Sequence, residues 1–199
     1  MTGLLSILIA YLLGAIPFGY LLTRFTTGKD VRTEGSGNIG ATNVLRAAGR
    51  GAGLATLVLD MAKGFAAVWI AGMLTDNSPG WMADAALAVM LGHAFPIFLG
   101  FKGGKAVATF VGAFLCLTPI PALAAMLLFV IAVTITGFIS AGSILAAATF
   151  PLGLWLIAHP TPNVLLAALI AAAIVVYRHK ENMRRMRTGQ EPAFRWVAG

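Results

Sequence analysis

From Ala106 to Ala158 the chain carries no Asp, Glu, Lys or Arg. A soluble domain has about a quarter charged residues; this chain is 11% charged and 59% hydrophobic, too apolar to cover a water-facing surface. It therefore reads as a membrane protein. A helical span takes about 20 mostly apolar residues, so the uncharged run must be cut. Pro119 and Pro121 offer one break, and the stretch Gly137–Gly142 another.

Extending this segmentation over the whole chain predicts an all-α integral membrane protein with seven transmembrane helices, at 3–23, 51–74, 81–100, 105–118, 121–137, 141–158 and 163–178, in one membrane domain covering 1–199. Met1 is followed by Thr2-Gly3 with no basic stretch, so the first segment is expected to be a retained span and not a cleaved signal. Cys116 is the sole cysteine, which excludes an intramolecular disulfide and a cysteine metal cluster.

The basic residues then orient the spans. Arg24, Lys29, Arg32, Arg46 and Arg50 lie in one connection, Lys102 and Lys105 in another, and Arg178, Lys180, Arg184, Arg185, Arg187 and Arg195 at the last span's end and in the tail. The connections near 75–80, 119–120 and 159–162 hold no Lys or Arg. With seven spans all the basic connections share one side, which by the positive-inside rule is the cytoplasm; the N-terminus is then outside and the C-terminus cytoplasmic. Merging two middle segments into a six-span chain would split the positive charge across the bilayer.

Four groups of residues suggest chemistry. Gly35-Ser36-Gly37-Asn38-Ile39-Gly40-Ala41-Thr42-Asn43, followed by Arg46, contains a literal G-x-G-x-x-G. It lacks the preceding strand of a dinucleotide site, and the acid at the right distance, Asp60, falls in an apolar span. What remains is a loop able to present backbone N–H groups to an anion, with Arg46 as a phosphate clamp, or a capping loop with Ser36 or Thr42 as N-cap. Phe101-Lys102-Gly103-Gly104-Lys105 combines charge with a backbone that permits close approach; Ala106 in place of Ser or Thr excludes a Walker A loop. A tight turn whose lysines only enforce topology explains it equally. His179-Lys180-Glu181-Asn182, with Arg184 and Arg185, places His179 and Asn182 on one helical face; a basic stop against lipid headgroups explains the arginines but not the His and Asn. Asp60 and Lys63 are three apart inside a span and either line a polar cavity or pair with each other. His93 reads as a packing histidine, His159 has no assigned role, and Ser140 and Ser143 either reach the pocket or bond within their own helix. All the Gly-rich and basic motifs fall on the predicted cytoplasmic face, as suits a substrate with an anionic head and a fatty tail.

These residues resemble the bacterial acyl-phosphate:glycerol-3-phosphate acyltransferases of the PlsY type. Gly35 to Arg46 looks like the family's first motif, and Asp60-Met61-Ala62-Lys63-Gly64 like its intramembrane acid–lysine pair. Gly92-His93-Ala94-Phe95-Pro96 running into Lys105 looks like the second motif, and Arg178-His179-Lys180-Glu181-Asn182 with Arg185 like the third. Ala106 departs from the glycine common there, and Met183 and Met186 from Ile and Leu. The resemblance implies an inner-membrane, multi-pass enzyme that transfers an acyl chain from acyl phosphate to the 1-hydroxyl of glycerol 3-phosphate, making lysophosphatidic acid. No histidine is followed five residues on by Asp, since Phe98, Val164 and Arg184 stand there, so the His-x4-Asp acyltransferase mechanism is excluded.

On this reading Ser36, Arg46, Lys105, His179 and Asn182 are the catalytic candidates, and Gly37, Asn38, Gly40, Thr42, Asn43, Lys63, Lys102, Gly103, Gly104 and Ser143 bind substrate. Asp60 and Glu181 are structural. Arg46 and Lys105 stabilise phosphate charge, and the base is His179 or the donor's own phosphate; Ser36 as covalent nucleophile has no partner base. No cofactor, metal or nucleic acid is expected, and the protein is expected to act as a monomer in contact with membrane lipid. The rivals are a transporter for a phosphorylated solute, against which the absence of an inverted repeat argues, and a lipid-binding scaffold, which leaves the Gly-Ser-Gly-Asn loop unexplained.

Overall fold

Proline and glycine place the helix ends. Pro79, Pro119 and Pro162 each open a helix, where a missing N–H is harmless; Gly28 and Gly137 close helices in the left-handed conformation. A computed structural model describes residues 1–194; Arg195, counted above with the basic tail, lies outside them. The described residues contain helices and no strand: α1 (Thr2–Ala15), α2 (Phe18–Thr27), α3 (Ala41–Leu74), α4 (Pro79–Ala94), α5 (Val107–Leu117), α6 (Pro119–Thr136), α7 (Ile139–Ala158), α8 (Pro162–Arg178) and α9 (Lys180–Arg187), with single 3-10 turns at Val31–Thr33 and Ile97–Leu99. They form two compact units, Met1–Leu117 and the chain from Thr118 onward.

In the first unit, Pro17 breaks the first expected span into α1 and α2. Proline lacks an N–H and drives the residue before it out of helical geometry; Ile16 accordingly has ψ 114°. Glycines let helices approach closely, as is usual within membranes. A Cβ on Gly14 would lie 2.1 Å from the Val89 carbonyl oxygen and one on Gly92 2.2 Å from that of Tyr11, so α1 lies directly on α4. Gly112 meets Met61, and Gly64 meets Thr109, between α3 and α5. The core between them is built from small residues, among them Ala10, Ala67, Ala71, Ala85 and Ala113, while Leu8, Leu57 and Trp69 face outward. α3 begins ten residues before the expected 51, at Ala41, and kinks at Gly49 (φ 88°). Ala106 holds φ 58°, a left-handed conformation that costs a residue with a Cβ about 1–2 kcal/mol and that glycine adopts freely.

The second unit holds α6 to α9. α8 and α9 bend by 51° at His179, and the tail turns back so that the Phe194 amide donates to the Gly137 carbonyl at 2.7 Å.

By length and composition five segments can cross a bilayer: Thr2–Thr27, Ala41–Leu74, Pro79–Leu99, Pro119–Thr136 and Ile139–Ala158; the bent α8–α9 pair makes a sixth. The expected span at 105–118 is the 11-residue α5, about 16 Å long and short of a bilayer core of about 30 Å.

Candidate active site

The Gly-rich loop is organised from beneath by Asn43. This side chain is 2% exposed; its amide nitrogen donates to the carbonyls of Val31 (3.1 Å), Glu34 (2.9 Å) and Asn38 (2.9 Å), and its oxygen accepts the Ser36 amide at 2.9 Å. Gly35 (φ 54°) is glycine for a steric reason as well, since a Cβ there would lie 2.5 Å from the Asn43 oxygen. Asn43 is therefore a loop scaffold, with both its polar atoms bonded to backbone. The Asn38 side chain likewise accepts the Gly40 amide at 2.8 Å. The N-cap of α3 is Gly40, with no side-chain cap, so neither Ser36 nor Thr42 caps the helix. Val31, Ile39 and Val44 anchor the loop in a small apolar core, which leaves Ser36, Gly37 and Arg46 exposed and Thr42 half-buried.

The Gly103-Gly104 segment packs against α4. The Gly103 amide donates to the Ala94 carbonyl at 3.2 Å and the Gly104 amide to the His93 carbonyl at 3.1 Å, so these two N–H groups are used inside the protein and are not offered to phosphate as expected. A Cβ on Gly104 would lie 2.1 Å from His93 Nε2, and one on Gly103 2.2 Å from the His93 carbonyl oxygen. Lys102 is exposed and Lys105 half-buried on either side of the pair.

Beneath this loop lies a buried charge cluster. Lys63 Nζ is 2.8 Å from Asp60 Oδ1, donates to the Ile16 carbonyl at 2.9 Å and sits 5.6 Å from the centre of the Phe18 ring. The Ile16 carbonyl is open to it because Pro17 ends α1 there. His93 Nδ1 is 3.5 Å from the same Asp60 oxygen. Asp60, Lys63 and His93 are each at most 5% exposed. Lys63 is enclosed and paired with Asp60. His93, read from the sequence as packing alone, joins the pair.

The second unit presents His179 and Asn182 at the α8–α9 bend. His179 Nδ1 lies 2.7 Å from the Val175 carbonyl. A carbonyl only accepts, so Nδ1 carries a hydrogen and the neutral ring has its basic lone pair at Nε2. Asn182 donates to Glu191 Oε1 at 2.5 Å, Ser140 donates to the same oxygen at 2.7 Å, and Arg185 Nε meets Oε2 at 2.7 Å. Glu191 is thus the acid that organises this motif, and sequence reasoning missed it. Glu181, expected in that role, is exposed on α9 and pairs with Arg184 at 2.9 Å; it shares a helical turn with Asn182, whereas Glu191 reaches it only because the tail folds back. Ser143 donates to the Ile139 carbonyl at 2.9 Å within its own helix, which leaves its oxygen as an acceptor.

Burial opposes ionisation of Glu191, but hydrogen bonds from Asn182, Ser140 and Arg185 outweigh it and hold its carboxyl below the usual value. A depressed folded-state value means the stabilisation is present above the ordinary carboxylate range and is lost as pH falls through it. The expected outcome is that the native protein's thermal midpoint drops as pH is lowered below about 4.5, while Glu191→Gln starts lower at pH 7 and loses less on acidification. Parallel acid profiles for the two proteins would contradict the assignment.

Among the described residues no group of three His, Cys, Asp or Glu is placed to hold a metal ion. Comparison with known proteins gives a consistent result. The family model described as glycerol-3-phosphate acyltransferase matches residues 4–189. The glycerol-3-phosphate acyltransferase of Geobacter sulfurreducens is 48% identical over 187 residues, covering 94% of this chain and 95% of that one. Its counterpart from Trichlorobacter lovleyi is 46% identical over 194 residues and 98% of each chain. Among solved structures, PlsY, an integral membrane glycerol 3-phosphate acyltransferase, is similar in its glycerol 3-phosphate form with TM-score 0.92 at 38% identity, covering 98% of this chain and 96% of that one. Its lysophosphatidic acid form matches with TM-score 0.88 over the same shares. This all-helical chain is an integral membrane protein and belongs to the glycerol-3-phosphate acyltransferase family.

Proposed function

We propose that the protein transfers an acyl chain from acyl phosphate to the 1-hydroxyl of sn-glycerol 3-phosphate, yielding lysophosphatidic acid and inorganic phosphate, in the bacterial cytoplasmic membrane. The observation that carries this reading is the Asn43-built loop, which leaves Ser36 and Arg46 exposed in a chain matching the family over residues 4–189. Both substrates bear phosphate, so cations are needed: Arg46, Lys102 and Lys105 supply them, and Ser36 and Thr42 supply hydroxyl contacts. The glycerol oxygen attacks the acyl carbonyl, the C–O bond to phosphate breaks, and phosphate leaves with the bonding pair. The hydroxyl proton passes to His179 Nε2 or to the departing phosphate. An acyl phosphate is already activated, so positioning provides much of the effect, and no covalent acyl-enzyme is needed. Asn182, oriented by Glu191, assists at the carbonyl.

We further propose seven membrane crossings with the N-terminus outside, α5 with its preceding loop forming the short fourth, and a monomeric protein. A C-terminal reporter active on the periplasmic side would refute this topology.

The deciding assay is direct. Purified protein given acyl phosphate and glycerol 3-phosphate releases inorganic phosphate and forms lysophosphatidic acid; uptake of labelled glycerol 3-phosphate by vesicles without phosphate release would instead indicate a transporter. In the same assay His179→Ala is expected to lower kcat by about a hundredfold or more if the ring is the general base. Retained turnover would assign the proton to the donor phosphate.

A further inference from the structure

We propose that His93 is a positioning residue that seats the Lys105 loop on the buried Asp60–Lys63 pair, and that Gly104 is glycine to admit the His93 ring, not a phosphate. The inference rests on the acyl-transfer reading for what Lys105 does, but not for the packing itself.

Four contacts in series make the case. Lys63 ties the broken end of α1 to α3 through the Ile16 carbonyl. Asp60, one helical turn earlier, pairs with Lys63 at 2.8 Å and faces His93 Nδ1 at 3.5 Å. The opposite edge of the ring, Nε2, lies where a Cβ of Gly104 would be, at 2.1 Å. The backbone closes the arrangement, because the Gly103 and Gly104 amides bond to the carbonyls of Ala94 and His93. Tyr11 donates to the Phe95 carbonyl at 2.9 Å, so α1 is tied to the same corner a second time. His93 thus touches the charge pair with one ring edge and the loop with the other.

The loop needs such a seat. Between Gly100 and Ala106 the chain has no regular structure, and Gly100, Phe101 and Ala106 all have positive φ. Its place is therefore held by contacts to other elements. Lys105 follows Gly104 directly, and displacement of a charged group by about 1 Å can cost a hundredfold in rate. Gly104 itself has no positive φ, so backbone strain does not demand glycine there. The space taken by the histidine ring does.

A double-mutant cycle tests this. Gly104→Ala must displace the ring. It is expected to lower the thermal midpoint and raise KM for glycerol 3-phosphate by about tenfold, with kcat falling as well because Lys105 is displaced. His93→Asn retains an N–H toward Asp60 but lacks the outer ring edge. In that background, adding Gly104→Ala is expected to shift neither midpoint nor KM by more than about a quarter of its effect in the native protein. If Gly104→Ala has the same effect in both backgrounds, glycine is required by something other than His93 and the proposal falls. His93→Ser, which leaves still more room, serves the same comparison if His93→Asn does not purify as a folded protein. The thermal midpoint is read without substrate. An inactive native protein would therefore strike the acyl-transfer reading, while the midpoint cycle still decides whether His93 seats the loop.

Discussion

Lys105→Ala is expected to lower kcat/KM for acyl transfer by about a hundredfold or more, the usual scale for deleting one preorganised charge at a site of developing anion, while the thermal midpoint stays near that of the native protein. The two halves of this expectation have different origins. Lys105 is only half-buried, so truncating it removes little packed surface and costs little stability. Its charge stands beside a loop whose backbone is held by His93 and Ala94, and in the proposed reaction it faces two phosphates that repel each other. Lys105→Arg tests charge against geometry: it keeps the cation but replaces a compact ammonium with a planar fork, and should recover only part of the loss. Phosphate-release kinetics over both substrates measures this. A Lys105→Ala enzyme within about threefold of native kcat/KM would remove Lys105 from the machinery and leave phosphate neutralisation to Arg46 and Lys102.

The second large effect is on stability. Asp60→Asn strips Lys63 of its counter-ion in a site where the side chain is 3% exposed. Removing one partner of a buried pair costs about 3–5 kcal/mol, because the other charge stays enclosed without compensation. For a chain of this size that corresponds to a fall in thermal midpoint of about 10 °C or more. Lys63 would keep only the Ile16 carbonyl and the Phe18 ring, and neither carries a full negative charge. Combining Asp60→Asn with Lys63→Met removes both charges, and much of the lost stability should return, since an apolar replacement of a whole buried pair is often neutral. Lys63→Met alone should be milder than Asp60→Asn, as Asp60 retains His93 at 3.5 Å. Thermal unfolding of the three proteins in one detergent decides. A double variant no more stable than Asp60→Asn would mean that the pair is valued for something other than mutual neutralisation.

What could be read from the residues alone was local. The helix breaks near Pro119 and Gly137 appear in the structure because a missing N–H and a tolerated left-handed φ act within a turn of where they stand. The Asp60–Lys63 pair was legible for the same reason: three residues apart on a helix, the two side chains share a face whatever surrounds them. The Gly-rich motifs were visible as places where the backbone departs from a helix. The reason for each glycine was not. Gly35 makes way for Asn43, and Gly104 for His93, and the second of these partners is eleven residues distant and on another element. Asn43 looked like a ligand because its residue type and its neighbours suit one. Only the fold shows its polar atoms turned inward onto Val31, Glu34, Asn38 and Ser36. Glu181 adjoins Asn182 in sequence and was given a structural role, yet it is Glu191, nine residues on, that the returning tail brings to the amide. Composition, charge placement and periodicity thus determined that this chain is a helical membrane protein with Gly-rich and basic motifs, because those properties depend on solvent and on neighbours within one turn. Which polar atoms remain available to a substrate was decided by tertiary structure, because a hydrogen-bonding group buried away from water takes whatever partner the packing brings to it, and no spacing along the chain specifies that partner.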